Sequence, residues 1–364
     1  MEFTDEVLAK MEDKFKYNKV FGSWYYGLSE EIKSIELARS ERIYKRGERI
    51  QSCLDYWEWD LYENNKLMDL QKVNRCMNNR FCPNCKKFEL AKFIHSYSKE
   101  FRGLLIKNYN PYLLTLTVPN VKGEDLKETI EKINQTFNRF FKALSQPVGQ
   151  GKHGFGERIM EFQGALKVLE ITYNKIENTF HPHLHCMMFG IDYPELEFQK
   201  NIPGAWSNKR QSYNMNSNMD IHMMKLWYMC YNKIRLTKKN YDNLSDNWYD
   251  LYMCDIREMD EQGVYEVLKY TFKDTDVSSY YVFKTLVNSL EKKRIRQGYG
   301  ILRGLKCEDI EDGEMQGIEE YLNEDKKETP DKLLTKGLRT LIKEYNNYRK
   351  ISRFKAYKEL ENLD

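Results

Sequence analysis

Three histidines at alternate positions constrain the fold of this chain more than any other feature. His181, His183 and His185 lie in TFHPHLHCMMFG, residues 179–190, and the 364 residues include only six histidines. Alternate side chains of a β-strand point to the same face of a sheet. The pattern therefore predicts a strand that presents three imidazoles on one side.

Neighbouring histidines on such a face can converge on one metal ion, whereas the outer two are roughly 13 Å apart. We expect His183 and His185 to be the ligands, because His185 lies within the apolar run and His181 precedes a proline at the strand's start. Across a predicted hairpin, Glu170 in VLEITYN would add a carboxylate. Two imidazoles and a carboxylate with open positions suit Mg²⁺ or Mn²⁺. A purely structural role for the histidines is the alternative.

The remaining patterns predict an α+β fold. Strands are predicted at PYLLTLTVPNV, ALKVLEITYN, HPHLHCMMFG and WYDLYMCDIREM, and the polar turn KIENT joins the second to the third. Helical spacing marks EDLKETIEKINQTFNRFFKAL, the segment from Met223 to Ile234, and QGVYEVLKYTFK. Strands separated by helices, with a hairpin among them, favour an antiparallel sheet covered by helices.

Composition predicts four regions along the chain. Residues 1–50 are charged and helical, 51–107 form a basic element with clustered cysteines, and 108–305 hold the sheet. Residues 306–364 begin with an acidic linker, with nine carboxylates in 308–325, and end in a basic segment with the spacing of an amphipathic helix. This helix could pack on the body of the protein, mediate self-association or contact DNA.

Four of the eight cysteines predict a structural zinc site. Cys76, Cys82 and Cys85 lie together in RCMNNRFCPNCKK, with Cys53 upstream, whereas the other four are scattered. Four thiolates form a closed tetrahedral Zn²⁺ site, and a C-x-x-C spacing supplies two of them. Cys53 is the least constrained of the four ligands. Four unrelated buried cysteines are the alternative.

The cysteine region is also strongly basic. Residues 72–107 hold nine Lys or Arg and two Glu, although the formal net charge of the whole chain is only +3. A local basic patch beside a zinc knuckle suits a DNA phosphate backbone, and a solvated charged helix is the alternative. The predicted DNA contacts are Arg75, Arg80, Lys86 and Lys87.

A second constellation of reactive residues lies in YEVLKYTFKDTD. Glu266 and Tyr270 are spaced to share one helix face, and Lys273 follows one turn later. A phenol with a pKa of about 10 is a poor nucleophile, but a polarised phosphodiester and a nearby cation make attack feasible. Glu266 could act as general base for a water molecule. Tyr265 is rotated by about 140° from Tyr270 and should face elsewhere.

Together these motifs resemble the plasmid rolling-circle replication initiators, the Rep branch of the HUH endonucleases. CMNNRFCPNC, LLTLTVPN, the LEIT and HPHLH hairpin, and YEVLKYTFKDTD follow in family order over roughly residues 50–300. The resemblance implies a central five-stranded antiparallel sheet, with the metal on its face and the tyrosine helix alongside. It also implies nicking of single-stranded or cruciform origin DNA.

In that reaction, Tyr270 would become joined to the 5′ phosphate and release a 3′ hydroxyl that primes synthesis. The two histidines and Glu170 would hold Mg²⁺ or Mn²⁺, and Lys273 would position the ion or stabilise phosphate charge. Glu266 would serve the terminating cleavage. A host helicase and the replication machinery would be partners, and a homodimer stays open.

Two other classes share parts of this pattern. An HUH transposase or relaxase has the metal and the tyrosine, although relaxases usually carry a third histidine ligand. In a non-catalytic zinc DNA-binding regulator, HPHLH would be structural and Tyr270→Phe would leave function intact. No segment approaches the ~20 apolar residues of a membrane span, and the start MEFTDEVLAK lacks a signal-peptide pattern. We therefore expect a cytoplasmic protein without a membrane partner.

Overall fold

The computed structural model describes residues 5–53, 56–62, 67–145, 161–191, 202–207, 212–244, 253–259, 277–304 and 348–354. The chain divides into two compact units, residues 1–96 with 307–364, and residues 97–306. None of the helices in the described ranges combines the length and apolar character needed to cross a bilayer.

The helices are α1 (Asp5–Ile32), α2 (Leu37–Gln51), α3 (Pro83–Ile106), α4 (Leu126–Ser145), α5 (Asn218–Tyr231), α6 (Lys238–Asp242) and α7 (Tyr280–Leu290). The strands are β1 (Tyr56–Tyr62), β2 (Leu67–Val73), β3 (Asn110–Thr117), β4 (Glu161–Asn174), β5 (Thr179–Ile191), β6 (Ile202–Ser207), β7 (Ser212–Asn216), β8 (Cys254–Glu258), β9 (Arg296–Gly300) and β10 (Tyr348–Phe354).

In the first unit, α1 and α2 pack with their backbones close together. A Cβ atom added to Gly47 of α2 would lie 3.1 Å from the carbonyl oxygen of Gly22 on α1, and one added to Gly22 would lie 2.2 Å from Cγ of Gln51. Ile43 and Ile50 are buried on the same side of α2 as Gly47. The two glycines therefore let α2 lie tightly on α1 with one fixed face.

The first unit also contains a small antiparallel sheet with the order β10-β1-β2. None of its strands is predicted from the sequence, and β10 lies where the sequence predicts part of the C-terminal amphipathic helix. The backbone hydrogen bonds to β1 stabilise a strand here more than the local spacing of apolar residues favours a helix. The rest of the predicted helix, the acidic linker and the predicted helix at residues 262–273 lie outside the described residues.

The second unit contains a five-stranded antiparallel sheet with the order β8-β3-β5-β4-β9. This confirms the predicted α+β class and its central antiparallel sheet. The four predicted strands correspond to β3, β4, β5 and β8, and the histidine strand β5 is in the middle. The fifth strand, β9, has the sequence RQGYG and shows no alternation of apolar residues. The sequence patterns likewise do not predict the separate hairpin that β6 forms with β7.

Helices close one face of this sheet. The apolar stripe of α4 is buried, and the Phe140 ring meets the Trp227 ring of α5 with centroids 5.7 Å apart. Trp227 also donates from Nε1 to the carbonyl oxygen of Thr117 on β3, at 2.8 Å. On the opposite face, Phe101 of α3 stacks on Phe189 at one end of β5, at 5.3 Å. The histidines lie farther along this second face.

Candidate metal centres

The first centre is built by strand register. Glu170 on β4 is the Cα partner of His183, and Thr115 and Thr117 on β3 are partners of His185 and His183. Directly paired residues of an antiparallel sheet project to the same side. The register therefore places a carboxylate, two imidazoles and two hydroxyls on one face of the three middle strands.

Three potential ligand atoms converge on this face. Oε2 of Glu170 lies 2.9 Å from Nε2 of His185 and 3.2 Å from Nε2 of His183. These ligand atoms all lie within 4.8 Å of one another, and the three side chains are between 11% and 18% exposed. The cluster is thus partly open to solvent, as a site that must admit a substrate requires.

Hydrogen bonds on the far side of each ring orient the two imidazoles. Nδ1 of His183 lies 3.2 Å from the carbonyl oxygen of His181, which can only accept, so Nδ1 is the donor in this contact and Nε2 is the nitrogen that faces Glu170. Nδ1 of His185 lies 3.2 Å from Oγ1 of Thr115, which can accept in the same way. The Nε2 lone pairs would repel the facing carboxylate unless a proton or a metal cation lay between them. The donor set therefore fits a divalent metal ion.

The charge of Glu170 agrees with this fit. Burial alone would raise the pKa of Glu170, but its hydrogen bonds with His183 and His185 together outweigh burial and hold the pKa well below its usual range. The carboxylate is therefore ionised at neutral pH and can neutralise part of a cation's charge.

His181 shares the face but not the cluster. Its ring stacks on that of His183 with centroids 5.1 Å apart, yet it is not part of the ligand group that the described residues form. Burial, with a smaller contribution from His183, lowers the pKa of His181 to about 4, so the ring is neutral at pH 7. The structure brings together the two histidines that the sequence favours and leaves the third outside.

The predicted nucleophile and its helix belong to a different part of the chain from this cluster. Tyr270, Glu266, Lys273 and the competing Tyr265 lie outside the described residues, so their predicted roles stay predictions. Thr115 is a residue of the site that sequence reasoning did not single out. The alternation of LLTLTV could have indicated it, because it places Thr115 and Thr117 on one face of β3.

The second centre consists of four buried cysteines in the first unit. Sγ of Cys85 lies 3.4 Å from that of Cys76 and 3.8 Å from that of Cys53, and Sγ of Cys82 lies 3.6 Å from that of Cys53. A Zn–S bond of about 2.3 Å in a tetrahedron separates the sulfurs by roughly 3.8 Å, whereas a disulfide would hold two of them at about 2.05 Å. The four thiols are unpaired and fit the size of a Zn²⁺ site.

Local backbone features shape this cluster. Met77 has a φ of 55°, and the turn directs the amide of Asn78 to Sγ of Cys76 at 3.4 Å. Cys82 and Cys85 flank the start of α3 at Pro83, where the helix N-terminus favours thiolates. Hydrogen bonds from the neighbouring thiols lower the pKa of Cys85, while those around Cys53 raise its pKa. Four thiolates at these distances would repel one another, so they would need a cation.

The predicted DNA contacts near the cysteines differ in exposure. Arg75 places its guanidinium 4.1 Å above the centre of the Phe88 ring, and Lys86 is only 9% exposed. Arg80 is partly buried, and burial, together with repulsion from Arg46, lowers its pKa. The side chain of Lys87 lies outside the described residues. Lys86 is thus in the interior, where it is poorly placed for a phosphate contact.

Comparison with known proteins relates the chain to replication proteins. A family model described as "Replication protein" matches residues 67–346. A "Protein rep" of Bacillus sp is 26% identical over 300 residues, which cover 75% of this chain and 85% of that protein. The "Protein rep" of Bacillus amyloliquefaciens is 25% identical over 302 residues, covering 76% and 78%, and that of Streptococcus pneumoniae is 26% identical over 283 residues, covering 74% of each. No solved structure matches.

Proposed function

The chain belongs to the family of replication proteins, the plasmid Rep initiators, and on that basis we propose that it nicks origin DNA through a tyrosyl intermediate. The observation that carries this proposal is the cluster of Glu170, His183 and His185 on the open face of the central sheet. An open site with two imidazoles and one carboxylate is suited to metal-assisted chemistry on a phosphodiester. The five-stranded sheet with this cluster on its middle strands supports an HUH-type nuclease.

The residues of the cluster would bind Mg²⁺ or Mn²⁺ through two Nε2 atoms and one carboxylate oxygen. When bound, the ion supplies Lewis-acid polarisation of a phosphate oxygen. The carbonyl of His181 and the hydroxyl of Thr115 hold the two rings with Nε2 turned inward. Because the ligands are on hydrogen-bonded central strands, little reorganisation is needed to position the scissile phosphate.

The proposed reaction is a transesterification. The phenolic oxygen of Tyr270 forms a bond to phosphorus and loses its proton, while the bond from phosphorus to the 3′ oxygen breaks and that oxygen takes up a proton. The products are a 5′ phosphotyrosyl link and a free 3′ hydroxyl, so the phosphodiester is conserved. Lys273 would stabilise the charge that builds on the phosphate. Glu266 would activate water for the terminating cleavage.

The cysteine cluster would hold Zn²⁺ in a structural role. Its four ligands come from the end of α2, the turn around Met77 and the start of α3, so one ion would tie three segments together. Arg75, Arg80 and Lys87 would contact origin DNA, whereas Lys86 is buried and would do so only if its side chain became exposed. The host helicase and replication machinery are the expected protein partners.

The test uses the purified full chain and a supercoiled plasmid that carries its replication origin. With Mn²⁺ or Mg²⁺ we expect nicked circles, and mass spectrometry should find a nucleotide on the peptide containing Tyr270. Tyr270→Phe should abolish both signals, and the matched control Tyr265→Phe should keep them. Nicking at the full rate in Tyr270→Phe would remove Tyr270 from the proposed role and favour a different nucleophile.

A further inference from the structure

The outward side of α2 carries four cations, which we call the α2 basic face: Arg42, Lys45, Arg46 and Arg49. Their spacing places them within about 100° of helix circumference and over about 10 Å of helix length. They line a groove of about 560 Å³ together with one carboxylate, that of Glu48. Arg42, Lys45 and Arg49 are exposed, and Arg46 is half-buried.

The charges of this face are not neutralised within the described part of the chain. None of the four cations makes an ion pair there, whereas Arg39 on the same helix pairs with Glu36 at 3.4 Å. Arg46 also lies near enough to Arg80 that the two guanidinium charges disfavour each other. Uncompensated cations on one side of a helix produce a strong local positive potential.

The α2 basic face is held rigidly. Gly22 and Gly47 bring the backbones of α1 and α2 together, and Ser29 and Ser40 join their hydroxyls at 2.8 Å near the turn between the helices. The buried residues of α2 occupy the opposite side of the helix. A partner would therefore meet cations whose backbone is already ordered, which reduces the entropic cost of binding.

We propose that the α2 basic face binds the sugar-phosphate backbone of double-stranded DNA. This inference rests on the proposed function only in taking origin DNA as the partner. Because α2 precedes residue 67, it lies outside the segment that matches the replication-protein family. The face thus adds a DNA contact in the N-terminal helices, ahead of the segment that the family model matches.

The chemistry of the groove favours duplex DNA over a single strand. Proteins that bind single strands stack bases on aromatic side chains, whereas the described residues that line this groove are Arg, Lys and Glu. The exposed Tyr44 points away from the face and packs on Tyr26, with ring centroids 4.7 Å apart. Contacts of this kind carry no sequence information, so the gain in affinity should not depend on the DNA sequence.

The experiment measures binding of the full chain to a labelled short duplex of unrelated sequence, and to one of its strands alone, by fluorescence anisotropy across a range of salt. The variant combines Arg42→Gln with Arg49→Gln. The matched control combines Lys127→Gln with Lys239→Gln, two exposed lysines on α4 and α6, and has the same net charge. A second variant, Arg42→Lys with Arg49→Lys, keeps the charge.

We expect the glutamine variant to bind the duplex roughly 10-fold more weakly near 0.1 M salt, and its slope of log K against log salt to fall by about 1.8. The lysine variant and the control should bind as the unaltered chain does. Unchanged duplex affinity and slope in the glutamine variant would overturn the proposal. An equal loss for the single strand would overturn the assignment to duplex DNA.

These measurements are made without added Mg²⁺ or Mn²⁺, so no cleavage is needed. A failure of the nicking reaction would therefore leave the binding result intact, and a failure of the α2 basic face would leave the test of Tyr270 intact.

Discussion

Oγ1 of Thr115 lies 3.2 Å from Nδ1 of His185, so a hydroxyl on β3 orients an imidazole on β5. We expect Thr115→Val to weaken Mn²⁺ binding by about 10-fold or more, because the ring would lose the partner that keeps Nε2 free for the metal. Titration calorimetry measures this affinity. Thr117→Val is the matched control, since that hydroxyl donates to the carbonyl of Met253. Equal effects of the two substitutions would argue against an orienting role of Thr115.

Alanine substitutions should distinguish the roles of the three histidines of β5 in metal binding. His183→Ala and His185→Ala each remove a nitrogen that lies within 3.2 Å of Glu170, so we expect both to lose Mn²⁺ binding and nicking while duplex binding persists. His181→Ala should retain Mn²⁺ binding, because its ring is outside the ligand group. Paramagnetic resonance of added Mn²⁺ reports the bound fraction. If His181→Ala alone lost the metal, the ligand assignment would be wrong.

Zinc content tests the cysteine cluster. The Cys82→Ser protein should contain one equivalent of Zn²⁺ less than the unaltered chain, and should melt at a lower temperature, because a structural zinc site contributes directly to folding. Cys186→Ala is a suitable control, since Cys186 is buried in the sheet of the second unit. Metal analysis of both proteins by mass spectrometry gives the answer. Zinc content that is unchanged in Cys82→Ser would exclude Cys82 as a ligand.

Because of Lys167, the free energy of unfolding should rise as the pH rises from about 8 toward 10.5. The side chain is fully buried and donates to Oδ1 of Asn134, and burial lowers its pKa to about 8 from 10.5. Between these two pH values the unfolded chain binds more protons than the folded one. The free-energy cost of burying the charged ammonium group is therefore full below pH 8 and vanishes as the pH approaches 10.5. Lys167→Met should therefore raise the free energy of unfolding at pH 7 by on the order of 2 kcal/mol.

Urea unfolding at pH 7 and near pH 10 measures this difference. The gain from Lys167→Met should shrink at the higher pH, whereas the exposed Lys175→Met should change little at either. Destabilisation of Lys167→Met by the same amount at both values would show that the hydrogen bond to Asn134 outweighs the cost of burying the charge.

The central strands and the convergence of Glu170, His183 and His185 were predictable because local pattern and tertiary role agree there. Alternating residues around Glu170 and His183 mark two strands, and the short polar turn between them fixes their pairing. The hairpin register then follows, so a carboxylate and two imidazoles meet without information from the rest of the chain. The same reasoning leaves His181 at the edge of the site, as the structure has it.

Other parts of the fold depend on partners distant in sequence. β9 has two glycines in five residues. A Cβ atom on Gly298 would clash with the carbonyl oxygen of Leu302, so close packing requires glycine there. The strand therefore lacks the alternating apolar residues by which a strand is predicted. β10 pairs with β1 from about 290 residues away in the sequence. The hydroxyl of Thr115 gains its role only from the strand beside it.

The position of β5 between β3 and β4 determines how the histidine cluster responds to stress. Amide hydrogens of a middle strand exchange only when the surrounding sheet opens, whereas edge strands such as β8 and β9 fray first. Heating should therefore scatter the three ligands only in the same cooperative transition that melts the whole unit. Under the proposed metal binding, a chelator should leave the three side chains in place, so that the site takes up metal again without any refolding.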